Sequence, residues 1–266
     1  MQSVSPHAPS PLYSVRLFRG GGEFGPAVSV YWNNRLSDCL ELYYYLALIQ
    51  NQDRRILVNT GMPTDFSAFE RFVQGWHPSC RLFRDESELP EKILARVGLT
   101  PEMIDTVLIT PLTVYTTGNL HLFPKASIAM NRKGWVDFWA PERHAPRLPL
   151  DIAMCRETRL YLADGGMERI RLLDDEEEVH PGVRCFRTGG HHTSSMAIVV
   201  DTEKGTVILG DCFFTYDNLE QNIPIGWAEN LHEIYEAYAR VREEAAIAVP
   251  LYDPKVLERF PDGIIA

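Results

Sequence analysis

Three glycines near the amino terminus have the spacing of a phosphate-binding loop. Gly20, Gly22 and Gly25 satisfy G-x-G-x-x-G, a pattern that lets the backbone approach the pyrophosphate of a dinucleotide when a helix begins directly after it. Here Pro26 and a segment with strand-like patterning follow the glycines. We therefore interpret residues 20–25 as a flexible hairpin turn and not as a dinucleotide site.

Two other features could supply metal ligands. The acidic run at residues 174–178 is one, but consecutive carboxylates on a loop cannot all face one ion, so we interpret it as a solvated loop. The cysteines are the other, and they are odd in number, widely spaced and without a C-x-x-C pair: Cys39, Cys80, Cys155, Cys185 and Cys212. They indicate neither a disulfide framework nor a cysteine-based zinc site, and they fit a reducing compartment.

Composition narrows the class of protein. The 266 residues are 45% hydrophobic and 23% charged, as in a globular chain long enough for one large domain or two small ones. The net charge of −10 and the lack of a basic cluster argue against a nucleic-acid partner. The longest uncharged stretch contains Pro111 and Gly118, so no membrane span is predicted. Residues 1–11 lack the features of a secretory signal, and we expect a flexible leader and a cytoplasmic protein.

The elements that must position any site are β-rich at both ends of the chain. Strand patterns, a central alternation of helices and strands, and a second β-rich half together predict an α/β protein, a four-layer αβ/βα sandwich in one domain over residues 12–266. Strands are predicted at 13–19, 27–32, 40–50, 55–59, 106–109, 126–130, 169–173, 183–188, 196–201, 206–209 and 246–249. Helices are predicted at 65–75, 90–97, 134–139, 151–157 and 229–244.

Four segments in chain order have the residues of a known family pattern. Residues 56–61 (ILVNTG) stand where that family has a strand ending in D-T-G, and residues 107–120 (VLITPLTVYTTGNL) where it has T-H-x-H-x-D-H-x-G-N. Residues 188–191 (TGGH) and 207–211 (VILGD) are similar to its T-G-G-H and G-D, and residues 249–254 (VPLYDP) to its P-G-H-D-P. Over most of its length the chain thus resembles the metallo-β-lactamase fold superfamily, and in detail the N-acyl homoserine lactonase-like branch.

The resemblance implies a dinuclear metal centre, but most of its ligands are replaced here. The matching positions are Pro111, Thr113, Tyr115, Thr116, His191, Asp211 and Tyr252. Only His191 and Asp211 keep side chains that ligate zinc, which needs three or four such ligands. The aspartate of D-T-G is Asn59, and the substrate-contacting tyrosine of the lactonase branch is Phe214, with Tyr216 nearby but out of register. We therefore expect a degenerate metal site without a metal or other cofactor.

The replacements bring hydroxyl groups to the floor of the former metal cleft. If the fold is kept, the Tyr115 and Tyr252 phenols converge with His191 and Asp211. The resemblance then favours a metal-independent enzyme acting on a small carbonyl, ester or lactone-like substrate. His191 is the predicted base, Asp211 orients it, and a tyrosine donates to the carbonyl oxygen. The predicted substrate-binding residues are Thr113, Thr116, His192, Phe214 and Tyr216.

Other interpretations of the same residues remain open. The cleft could have filled in, because carboxylates without ions repel one another, or the chain could be an inactive scaffold that binds a small molecule or a partner protein. His121, His192 and Cys212 could build a rearranged mononuclear site, although adjacent residues usually point apart. Cys212 could also be a nucleophile, but a buried cysteine is more often a core residue. Any aromatic residue left exposed at residues 43–45 or at Trp32 would favour a homodimer.

Overall fold

The first sheet of the computed structural model, which describes residues 11–142 and 148–266, has a mixed order of strands. It contains β1 (Ser14–Pro26), β2 (Cys39–Gln50), β3 (Arg55–Val58), β4 (Arg81–Phe83), β5 (Thr106–Leu108), β6 (Ser127–Asn131) and β7 (Ile170–Leu173). Their spatial order is β4-β1-β2-β3-β5-β6-β7. Strands β3, β5, β6 and β7 run parallel, so their carboxyl ends meet at one edge of the molecule.

The second sheet is formed by the carboxyl-terminal half of the chain. It contains β8 (Glu176–His180), β9 (Val183–Arg187), β10 (Met196–Thr202), β11 (Gly205–Gly210) and β12 (Ile247–Pro250). Their order is β12-β11-β10-β9-β8, and β12 pairs with β11 in the parallel sense. The strands predicted at residues 196–201 and 206–209 are confirmed as β10 and β11, which pair in the antiparallel sense.

Helices cover the sheets. The described residues contain α1 (Ser67–Trp76), α2 (Pro90–Ala95), α3 (Val114–Thr117), α4 (Arg132–Trp139), α5 (Leu150–Ala153), α6 (Arg156–Ala163), α7 (Tyr216–Glu220), α8 (Leu231–Glu244) and α9 (Lys255–Arg259). Short 3-10 turns lie at Ala27–Ser29, Glu86–Glu88, Pro101–Met103, Leu120–Leu122, Gly166–Arg169 and Pro261–Gly263. The single helix predicted at residues 151–157 is divided between α5 and α6. Among the described residues, no helix is both long and apolar enough to cross a bilayer.

Alternation along the strands separates two apolar layers. On β3, Ile56 and Val58 belong to the core that the two sheets share, whereas Leu57 faces the other way, into a second core with α2 and α6. On the far side, α8 packs against the second sheet through Tyr238 and is tied to β8 by the ion pair of Arg240 with Glu176. The molecule is therefore the predicted four-layer αβ/βα sandwich.

Three local predictions are wrong. Residues 20–25 do not form a hairpin turn, because β1 continues through them and pairs with β2 across a register shift between Arg19 and Gly22; residues 27–29 form a 3-10 turn instead of a strand. The acidic run is largely exposed, as predicted, but its residues 176–178 belong to β8 and not to a loop, and Arg171 and Arg240 pair with two of its glutamates. The strand predicted at residues 169–173 is present as β7, which pairs with β6 in the first sheet.

Two predictions are not tested by this architecture. The flexible leader at residues 1–11 lies, except for Pro11, outside the described residues. The homodimer also stays a prediction: Tyr44 and Tyr45 are buried in the core, whereas 46% of the Trp32 surface is exposed.

Candidate functional site

Loops that follow five strands meet at one edge of the sandwich. The chain leaves β3 at Asn59, β5 at Ile109, β9 at Thr188, β11 at Asp211 and β12 at Leu251, and these ends carry the residues that match the family pattern. Six of the nine predicted site residues line a single pocket there: Thr113, Tyr115, His191, His192, Phe214 and Tyr252. Most of the residues that the resemblance singled out therefore converge on one pocket.

Asn59 ties the loop after β3 to the loop after β5. Its side-chain amide donates to the Thr110 carbonyl oxygen at 2.9 Å and accepts from the Thr110 amide at 2.9 Å. Its φ of 63° is in the left-handed region, which asparagine tolerates better than most residues. An ionised aspartate could accept the second of these bonds but could not donate the first. Asparagine here therefore serves the scaffold of the site.

Thr113 and Thr116 have different environments. Thr113 lines the pocket, whereas the Thr116 hydroxyl lies 2.6 Å from the Pro111 carbonyl oxygen, to which it donates, and accepts from the Thr113 amide at 3.2 Å. These bonds close the first turn of α3. Thr116 is 1% exposed and is not among the residues that line the pocket. The structure therefore supports a pocket position for Thr113 and gives Thr116 a structural role.

His191 is a buried imidazole with a fixed proton. Its Nδ1 lies 2.8 Å from the Trp227 carbonyl oxygen, which can only accept, so Nδ1 carries the hydrogen and Nε2 keeps its lone pair. Nε2 accepts from the Tyr115 hydroxyl at 3.3 Å. Burial, helped by the neighbouring His192, holds the pKa of His191 well below its usual value. His191 is therefore neutral at pH 7 and able to accept a proton.

Asp211 lies beneath the pocket, fully buried, and does not pair with His191. Its carboxylate accepts from the Ser195 hydroxyl at 2.6 Å and from the Thr110 hydroxyl at 3.2 Å. Burial raises its pKa to about 6, although these two hydrogen bonds and His192 act in the opposite direction. The prediction that Asp211 orients His191 does not hold, because both ring nitrogens have other partners. The Trp227 carbonyl has that role.

Two phenols complete the floor. Tyr115 stacks on Tyr44 with ring centroids 4.7 Å apart, and Tyr252 meets Phe214 edge to face at 4.8 Å. Burial raises the pKa of both Tyr115 and Tyr252 above the usual range, so both remain hydrogen-bond donors at neutral pH. The buried Tyr252 hydroxyl has no partner of hydrogen-bond geometry within the described chain. Tyr115 is close enough to influence its pKa without meeting that geometry.

Phe214 and Tyr216 lie in different environments. The Phe214 ring packs edge-on against the His191 imidazole with centroids 4.8 Å apart and lines the pocket. Tyr216 begins α7 and lies under the Arg259 guanidinium, 3.6 Å from the ring centroid, away from the pocket lining. The structure therefore does not bring Tyr216 to the substrate position that the sequence suggested.

His192 stands at the mouth of the pocket and is held by a residue that sequence reasoning missed. Its Nδ1 lies 2.9 Å from Oε1 of Glu229. The other oxygen of that carboxylate, Oε2, accepts from the Thr193 amide at 2.8 Å. Glu229 is the first residue of the helix predicted at 229–244, whereas α8 begins at Leu231. An exposed glutamate at the start of a predicted helix carries no sequence signal of this pairing. Among the described residues, no hydrogen-bond partner is recorded for the other ring nitrogen of His192.

The rest of the pocket wall is mainly aromatic and aliphatic. Phe69 and Phe72 of α1 and Leu42 of β2 line it, and Trp227 stacks on Trp76 with ring centroids 3.8 Å apart at its rim. The free cavity has a volume of only about 60 Å³. A ligand would therefore place a small group in the cavity and rest its remainder on the rim.

The residues present do not fit the dinuclear metal centre of the resembled family. Within residues 11–142 and 148–266, no three His, Cys, Asp or Glu side chains come together in a way that could hold a metal ion. Both Asp211 oxygens and both His191 nitrogens are engaged by protein groups. His121 is exposed on a 3-10 turn, and burial raises the pKa of the Cys212 thiol far above neutrality, so neither supplies the missing ligand.

Known proteins resemble this chain in sequence and in structure. No family model matches it. The N-acyl homoserine lactonase of Bacillus cereus is 26% identical over 191 residues, which are 70% of each chain. The lactonase of Bacillus thuringiensis subsp. kurstaki is 24% identical over 191 residues, with the same coverage.

Solved structures agree over nearly the whole chain. An N-acyl homoserine lactone hydrolase, with N-hexanoyl-L-homoserine at its catalytic metal centre, superposes with a TM-score of 0.77 at 20% identity, covering 96% of this chain and 99% of that one. A dizinc quorum-quenching lactonase gives a TM-score of 0.66 at 11% identity, covering 96% and 90%. At these identities the structures establish the fold. The chain therefore has the metallo-β-lactamase fold, and its sequence is similar to the N-acyl homoserine lactonases.

Proposed function

We propose that this protein hydrolyses a small ester or lactone-like molecule without a metal ion, with His191 as the general base. The observation that carries the proposal is the neutral, buried imidazole whose Nδ1–H is fixed on the Trp227 carbonyl while Nε2 faces the phenolic floor. The similarity to lactonases supports the substrate class. The donor set of the cleft supports a mechanism that does not use the family's metal centre.

In this mechanism His191 Nε2 takes a proton from a water molecule whose oxygen attacks the substrate carbonyl carbon. The Tyr115 hydroxyl, now bonded to Nε2 at a long 3.3 Å, turns to the carbonyl oxygen and stabilises the negative charge that develops there. The Tyr252 hydroxyl, which lacks a partner within the described chain, is the second donor. The tetrahedral adduct then breaks its bond to the ester oxygen, which takes the proton from Nε2 and leaves as a hydroxyl.

The test is a panel of small lactones and esters, followed by titration of the acid produced. We expect His191→Gln to lower kcat/KM by at least about 100-fold, the usual contribution of a general base. His121→Gln, which changes an exposed histidine outside the pocket, is the matched control and should leave turnover unchanged. Full activity of His191→Gln would refute the assigned base.

Elemental mass spectrometry of the protein, purified without chelators, tests the metal-free part of the proposal. We expect far less than one zinc, iron or manganese ion per chain and no loss of turnover after dialysis against a chelator. A stoichiometric metal whose removal abolishes turnover would overturn this part while leaving hydrolysis itself in place.

A non-catalytic binding protein is the second candidate. It is favoured by the internal bonding of the former ligand positions: Asp211 accepts from Ser195, and Thr116 donates to the backbone, as expected of a cleft filled by its own side chains. A molecule that binds at the pocket and is recovered unchanged, together with no turnover on the panel, would favour this candidate over the hydrolase.

A further inference from the structure

Glu23 places a carboxylate in the wall of a pocket that is otherwise apolar and aromatic on that side. It lies on β1, where its register partners are Leu42 on β2 and Leu82 on β4. Its side chain lines the same pocket as His191. The hydrolysis proposed above does not use it. A carboxylate that is largely removed from water is costly unless it is paired, so its place in the pocket calls for a partner.

The described residues supply Glu23 with hydrogen bonds but with no cation. The Tyr44 hydroxyl donates to Glu23 Oε2 at 2.8 Å. Burial raises the pKa of Glu23, while hydrogen bonds from Tyr44 and Cys80 act to lower it. Among the described residues that line the pocket, none is a lysine or an arginine. Since an ionised carboxylate offers about four lone-pair positions, acceptor capacity is left over.

The side chains around this carboxylate suit a positive charge. Tyr44 and Phe69 lie near each other, with ring centroids 6.5 Å apart, and Phe72 and Trp227 line the same pocket. Aromatic faces attract cations, and the attraction grows where water is excluded. Among the described lining residues, no lysine or arginine would compensate an anionic group placed beside Glu23. The carboxylate and the aromatic rings therefore favour a cationic over an anionic group at this end.

We propose that the Glu23 end of the pocket is a binding subsite for a primary ammonium group on a small organic molecule. The free cavity of about 60 Å³ accepts a compact –NH₃⁺ group more readily than a quaternary ammonium with three methyl groups. The ammonium donates to Glu23 while its carbon chain lies against the aromatic wall. The remainder of the molecule extends toward His191. The proposed subsite concerns binding alone and does not depend on whether the protein hydrolyses its ligand.

The experiment uses the full chain and ligand-observed NMR titrations with three probes that cannot be hydrolysed: butylammonium, 1-butanol and butyltrimethylammonium. We expect butylammonium to bind at least about tenfold more tightly than 1-butanol, a free-energy difference of about 1.4 kcal/mol, and butyltrimethylammonium to bind more weakly than butylammonium. Equal binding of butylammonium and 1-butanol, or no binding of butylammonium, would overturn the subsite. Tighter binding of the quaternary probe would overturn its assignment to a primary amine.

Variants assign the preference to the residue. Glu23→Gln keeps the shape and an acceptor for Tyr44 but removes the charge, and it should bring the two affinities to within about twofold of each other. Glu41→Gln changes an exposed glutamate on the adjacent strand β2 and should preserve the tenfold preference. A Glu23→Gln protein that is folded by circular dichroism and keeps the preference would contradict the proposal. If Glu23→Gln does not fold, the three-probe comparison on the unaltered protein still decides it.

Discussion

Asp211→Asn should change how the stability of the protein depends on pH. The Asp211 side chain is fully buried, and burial raises its pKa from 3.8 to about 6. A carboxyl whose pKa is higher in the folded state favours folding while it is protonated. That contribution is fully present below the unfolded pKa and is lost as the pH rises through the folded pKa. Asparagine has no such proton to lose.

The magnitude follows from the shift of about two pKa units, each equivalent to about 1.36 kcal/mol. At about pH 7.5 the ionised carboxylate then destabilises the folded protein by about 3 kcal/mol relative to its protonated form. At about pH 4.5, where the folded state is mostly protonated and the unfolded state mostly ionised, the corresponding cost is about 1 kcal/mol. We compare the free energy of unfolding of Asp211→Asn with that of the unaltered protein. As the pH rises from about 4.5 to about 7.5, the value for the variant minus the value for the unaltered protein should increase by about 2 kcal/mol.

Urea unfolding at the two pH values measures this difference. The lost hydrogen bonds to Ser195 and Thr110 lower the stability of the variant at both pH values and largely cancel in the comparison. Asp164→Asn, at an exposed aspartate that ends α6, is the control for the chemical change itself. A difference that does not vary with pH would refute the reasoning. A change of opposite sign would mean that a positive charge, such as a bound cation, faces Asp211.

Two further predictions concern packing and thiol chemistry. A Cβ at Gly118 would lie 2.2 Å from the Pro63 backbone nitrogen, so Gly118→Ala should cost about 2–3 kcal/mol of unfolding free energy in urea. Gly75→Ala, in α1 with nothing within 4 Å of the new methyl, should stabilise by about 0.5–1 kcal/mol; equal effects of the two would contradict the packing described. Native protein should expose one fast-reacting thiol to a disulfide reagent, that of Cys39, because it alone among the cysteines is exposed. A second fast thiol at Cys212 would restore the nucleophile that its burial argues against.

The order of the elements could be predicted from patterning, but the course of the chain through the glycines could not. Glycine is equally typical of a turn and of a bulged strand. In the structure a Cβ at Gly22 would lie 2.3 Å from the Leu42 carbonyl oxygen, so the glycine is required by the close approach of β2. That approach is a tertiary contact. The strand within the acidic run was missed for the same reason. Its pairing partners Arg171 and Arg240 lie on other elements, β7 and α8.

The candidate site was predictable in part of its membership and not in its bonding. The family pattern located His191, Asp211 and the tyrosines, because strand order fixes which loops meet. The partner of His191 is the backbone carbonyl of Trp227. Every residue has a backbone carbonyl, so no residue type in the sequence could indicate this contact. Glu23 was not predicted as a site residue because it lies 168 residues before His191. It also belongs to a segment of β1 that we interpreted from its glycines as a turn.

Trp227 connects the site to the surface in two ways. Its carbonyl fixes the His191 imidazole, while its indole stacks at 3.8 Å on Trp76, which is 54% exposed at the end of α1. Two indoles in van der Waals contact couple their electronic transitions, so their circular dichroism and fluorescence depend on the geometry of the pair. The protein therefore contains an intrinsic optical reporter whose backbone also holds the His191 imidazole. Ligand entry that shifts α1 could be followed in real time without a label.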